Sequence, residues 1–115
     1  MFGQRQKDSQ QSAGTQTRSE FLSHVDKALE SFGSSVKSVV YFRFQEEHGL
    51  KPEEISEKPE LFVETIDRFF GVGASTVKSY LEKEMRIAVT PFDLGSGSTV
   101  AIMRKARDYF AHSPK

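Results

Sequence analysis

The chain has 115 residues and a mass of 13.0 kDa, the size of a single domain. Its 16 basic and 16 acidic residues cancel, which argues against a dedicated non-specific nucleic-acid binder. It has no cysteine and only three histidines, which excludes disulfides and thiol nucleophiles and leaves little for a metal site.

No apolar run approaches the roughly 18 residues that span a bilayer. The opening Met1-Phe2-Gly3-Gln4-Arg5 lacks an apolar stretch of signal-peptide length. The expectation is a cytoplasmic protein that makes no membrane contact. Residues 1–18 are rich in Gln and Ser, with Phe2 the one large apolar residue after Met1. Such a segment buries too little surface to offset its ordering entropy, so the expectation is a disordered, flexible tail ahead of one domain at 19–112.

The first helix is predicted over about 19–32. Thr17-x-x-Glu20 has capping-box spacing. Phe21, Leu22, Val25, Ala28, Leu29 and Phe32 recur at helical spacing. Gly33 follows where a left-handed cap favours glycine. From Ser34 to His48 the two signals conflict. Val36, Val39, Val40, Tyr41, Phe42 and Phe44 favour a strand by propensity. The distance from Ser34, a good cap, to Gly49, a good stop, fits a helix, and a mostly buried helix is apolar on several faces. Helix is the reading adopted.

Leu50 to Ile55 reads as one turn, with Pro52 at a first helical position and Glu53 and Glu54 at its N-terminal end. A third helix is predicted from Pro59 to Phe70, with Leu61, Phe62, Thr65, Ile66, Phe69 and Phe70 inward. Gly71-Val72-Gly73 links it to a fourth, Ala74 to Arg86, which buries Val77, Leu81, Met85 and Ala88. A loop follows over 87–97. Ser98 caps a last helix from Thr99 to about Ala111, with Val100, Met103, Ala106 and Phe110 on one side. The fold class is all-α: a compact bundle of four main helices plus a short turn. Phe32, Val40, Phe44, Phe62, Ile66, Phe69, Val77 and Leu81 are expected in one core.

Several segments in a fixed order carry a resemblance. Ala28-Leu29-Glu30-Ser31-Phe32-Gly33 leads into Val36-x-x-Val39-Val40-Tyr41. Then come Glu47-His48-Gly49-Leu50-Lys51-Pro52-Glu53-Glu54-Ile55, Lys58-Pro59-Glu60-Leu61-Phe62 and Phe69-Phe70-Gly71-Val72-Gly73-Ala74. Together they resemble the Nitrosopumilus output domain family of small archaeal signalling domains. The resemblance implies an all-helical output or interaction domain, with no catalytic residues to carry over.

Leu61 to Met85 also has the outline of a helix-turn-helix. In that second reading, a DNA-binding transcription regulator, Ser75, Lys78 and Ser79 near the start of the second helix would reach DNA. The acidic residues around them favour plain helical packing. Asp93-Leu94-Gly95-Ser96-Gly97-Ser98-Thr99 is similar to the phosphate turn of the actin and sugar-kinase ATPases. Only 16 residues follow Thr99, too few for that architecture, so a linker and cap is the reading. His24 beside Asp26, and Glu46-Glu47-His48, lack converging ligands and read as surface or cap-proximal histidines. No catalytic, cofactor or metal site is legible, and the chain is read as no enzyme.

Charge is zoned. Residues 45–67 carry eight acids against Lys51 and Lys58, and residues 99–115 carry Arg104, Lys105, Arg107 and Lys115 against Asp108. These are solvated faces or, alternatively, steer subunits together. Val39, Tyr41 and Phe42 lie off the stripe of Val36, Val40 and Phe44. A regulatory protein–protein interaction domain follows, forming a homodimer through Tyr41 and Phe42 or through the last helix near Phe110.

Overall fold

The computed structural model describes residues 2–112, with side chains from 16 to 112. The chain is all-α, and the described residues include no strand. Helix α1 spans Phe2–Glu30, α2 Ser34–His48, α3 Pro59–Phe70, α4 Ala74–Ala88 and α5 Thr99–His112, five helices among the described residues against the four main ones counted from the sequence. Short 3₁₀ turns cover Pro52–Ser56 and Gly71–Gly73.

Helix α1 begins before the expected residue 19. Gln16, Thr17 and Arg18 are helical, so Thr17 stands inside the helix and not at its cap. No proline precedes Pro52, and nothing in this segment forces a break. Arg18 also gains a partner, Glu57 after the first 3₁₀ turn. The expected tail properties of residues 1–15 concern side chains outside the described set.

Phe21, Val25, Ala28 and Leu29 form the buried stripe of α1. That stripe packs on α4, α5, α2 and the turn Pro52–Ser56, so α1 is the common wall of the bundle. Segment α2 is a helix, as its length and its Gly49 stop indicated, but Ser34 is its first residue and not its cap. Gly49 closes it in the left-handed region at φ 67°, where a side chain would be strained. Gly33 is also at positive φ, 110°, but precedes α2 as its N-cap and does not close α1. Val40 and Phe44 are the buried residues of α2.

Helix α3 is rotated from its expected phase. Phe62, Val63, Thr65 and Ile66 are buried, whereas Phe69 is 36% exposed and Leu61 and Phe70 are half-buried. The helix touches α2, α4 and α5, so neighbours cover the Val63 side, which the sequence reading left out. Phe32 is likewise only half-buried, because α1 ends before it. Six of the eight expected core residues are buried: Val40, Phe44, Phe62, Ile66, Val77 and Leu81.

The last helix is a full member of the bundle. Ile102, Met103, Ala106 and Phe110 are buried, and Leu94 in the preceding loop closes over them. Ser98 caps the helix, its hydroxyl accepting from the Ala101 N–H at 3.1 Å. Thr99 donates to Glu82 at 2.6 Å and ties α5 to α4.

The two charge zones meet within one chain. Arg104 donates to Glu60 at 2.9 Å, and Arg107 donates to the Ser56 carbonyl at 3.0 Å. The Glu60 carboxyl is held below the usual carboxylate range, first by its own backbone N–H at the start of α3 and then by Arg104. These contacts join α5 to the acidic segment, so the zones are partly neutralised before any partner arrives.

Tyr41 is half-buried against Phe62, and its hydroxyl donates to the Asp26 carboxylate. Burial, and then that hydrogen bond, push its phenol far above the ordinary tyrosine value. In the unfolded chain the phenol ionises near pH 10. The contribution is therefore complete below about pH 10 and is lost as the pH rises, since only the unfolded state then releases the proton. Tyr41→Phe is expected to flatten the alkaline loss of stability. Urea unfolding at about pH 9 and about pH 11 checks it, and an equal decline in both proteins would contradict it.

Candidate functional site

The side of the bundle formed by α2, the end of α3 and α4 retains exposed apolar side chains. On α2 the inward residues Val36, Val40 and Phe44 leave Val39 and Phe42 pointing outward, one turn apart, as helical periodicity requires. Phe42 is 60% exposed. Arg43 lies beside them and sets its guanidinium 5.8 Å from the centre of the Phe69 ring, within cation–π range. Phe69 meets Phe70 edge-on at 4.8 Å, Phe70 lies 6.5 Å from Phe32, and Phe32 lies 4.8 Å from Tyr80. Val72, in the link between α3 and α4, is fully exposed. The result is a belt of partly open rings running from α2 across the end of α3 to α4.

Local sequence builds this belt. Gly33 and Gly71 end or begin helices with large apolar residues on either side, Phe32 and Val36 in one case, Phe70 and Val72 in the other. Chain reversal at those points leaves the flanking side chains at the edge of the core. Charges border the belt: Lys37 with Glu30 at 2.6 Å, and Lys78 with Asp67 at 2.9 Å. The Lys37 ammonium is pushed above its usual value, mainly by the hydrogen bond it donates to Glu30.

Of the three interface residues expected from the sequence, Phe42 is the open one. Tyr41 is committed to Asp26 and Phe62. Phe110 is a correction: it is 5% exposed and packs edge-on against Phe21 and flat against His24. The α5 stripe faces its own bundle, so Phe110 offers no free surface. Ser75 and Ser79 are exposed on α4, while Lys78 is half-buried and paired to Asp67. The second-helix cation expected to reach phosphate is therefore already engaged.

The two histidines read as surface or cap-proximal are both half-buried, and His48 is the last residue of α2, beside its Gly49 cap. His24 is half-buried, with Nδ1 3.0 Å from Glu84, and it bridges α1 to α4. His48 places Nε2 3.8 Å from both Glu47 and Glu64, and that atom has no hydrogen-bond partner among the described residues. Sequence could not show the pairings with Glu84 and Glu64, because these lie on other helices. In the loop before α5, Asp93 accepts from the Gly95 N–H at 2.9 Å, so carboxylate and amide satisfy each other in the phosphate-turn-like segment. Among the described residues no group of three or more His, Asp or Glu is placed to hold a metal, and no helix is long and apolar enough to cross a membrane.

No family model matches the chain. No curated protein and no solved structure matches it either.

Proposed function

We propose that the chain is a non-enzymatic protein-interaction module that self-associates, acting as a regulatory output or oligomerisation domain of archaeal signalling and working in the cytoplasm. The observation that carries this reading is the set of exposed apolar residues Val39, Phe42, Phe69, Val72 and Tyr80, with Arg43 over the Phe69 ring. Exposed apolar surface with a charged border is the ordinary signature of a protein contact. The archaeal resemblance points the same way.

A DNA-binding regulator is the second reading, favoured by the exposed hydroxyls of Ser75 and Ser79 on α4. It lacks a free cation at the expected place. The net charge of zero also provides few phosphate contacts. DNA affinity is expected to be weak and indifferent to sequence, and Lys78→Glu is expected to change it little. Titration at physiological salt with duplexes of varied sequence checks this. Sub-micromolar, sequence-selective binding that Lys78→Glu abolishes would replace the interaction reading.

A further inference from the structure

Taking the interaction reading as its basis, we infer that the partner is a second copy of this chain, and that two α2 helices pack antiparallel about a two-fold axis at Phe42. Three features of α2 support this.

The outward stripe of α2 is graded in size. Ser35 and Ser38 occupy its first half, and Phe42, Gln45 and Glu46 its second, all of them exposed. With the axis at Phe42, each ring meets its own mate, Val39 faces the other copy's Gln45, and Ser38 faces the other copy's Glu46. On either side of the central ring pair the smaller residue therefore opposes the larger one, which allows the two helices to approach. A parallel arrangement would instead set each Glu46 carboxylate against its own copy.

The stripe is also complementary in hydrogen bonding. Glu46 makes no ion pair, and Ser38 no side-chain hydrogen bond, among the described residues. Antiparallel packing brings the Glu46 carboxylate to the N-terminal half of the opposing helix. There the Ser38 hydroxyl can donate to it. The two copies satisfy each other twice, as two-fold symmetry requires.

Finally, α2 is an outer helix. It packs on α1, α3 and the turn Pro52–Ser56 and makes no contact with α4 or α5. No other part of the described chain covers Phe42. One 15-residue helix makes an interface at the small end of stable sizes. The dimer is therefore weak, forming at tens of micromolar.

The natural absence of cysteine gives a clean test. A residue on a two-fold axis meets its own copy, so Phe42→Cys should form a disulfide-linked dimer on mild oxidation. Phe92→Cys, exposed in the loop before α5, should not. Helical content of both variants is checked first; both sites are solvent-exposed, so folding is expected to be kept. Selective linkage at position 42 supports the proposal. Equal linkage at both positions, or none at 42, overturns it. In a parallel arm, Phe42→Glu should raise the dimer dissociation constant roughly tenfold or more. A parent dimer unaffected by Phe42→Glu would discard the α2 axis yet leave self-association through another part of the belt. A parent that stays monomeric would discard both.

Discussion

Phe62→Ala is expected to lower the free energy of unfolding by about 3–5 kcal/mol. Phe62 is fully buried, meets Phe44 edge-on at 5.6 Å and lies 6.4 Å from the Tyr41 ring. It joins α3 to α2 at the point where Tyr41 reaches back to Asp26 on α1. Truncation removes the ring's burial and leaves a cavity that three helices would have to close together. Phe69→Ala, on the same helix, should cost far less, because Phe69 keeps 36% of its surface in water. Urea unfolding of the two variants compares them directly. Similar losses would mean that α3 is rotated towards the phase its sequence first suggests.

Ending the chain at Gly97 is expected to abolish cooperative unfolding. The cut removes Ile102, Met103, Ala106 and Phe110 from the core and leaves Phe21, His24 and Leu94 without cover. Each large apolar side chain buried contributes roughly 1.5–3 kcal/mol, and total stability in domains of this size is about 5–15 kcal/mol. The shortened chain should retain helical signal but bind hydrophobic dye and melt without a sharp transition. A cooperative melt would show that α5 is an accessory to a core formed by α1–α4.

The elements of this fold were largely legible because punctuation and period agree. Pro52 and Pro59 start helical turns, Gly49 stops α2 in the left-handed region, and Ser98 caps α5. In α2, cap spacing overrode strand propensity, and the apolar residues that favoured a strand are the ones that later face two ways. The phase of α3 was not legible. Leu61, Phe62 and Val63 are consecutive, so apolar content alone does not choose between the faces that begin at Leu61 or at Val63. Packing by α4 and α5 decides it. The start of α1 was hidden for another reason: Gln, Ser, Thr and Arg permit a helix without demanding one, and the contact that fixes Arg18 lies 39 residues away.

The candidate face was half legible. Phe42 stood out as the ring that α2 could not bury together with Phe44. Phe110 was misplaced because its partners, Phe21 and His24, are on α1, nearly the whole chain away. Phe69 was missed as a surface residue, since a phenylalanine at helical spacing is ordinarily read as core.

Light scattering across a concentration series, on the parent and on Phe42→Glu side by side, tests the self-association claim most directly. The account predicts that the parent mass climbs from 13.0 kDa towards twice that value over tens of micromolar, while the variant remains at the single-chain mass. A parent that holds the single-chain mass throughout, with Phe42 in water, would contradict it.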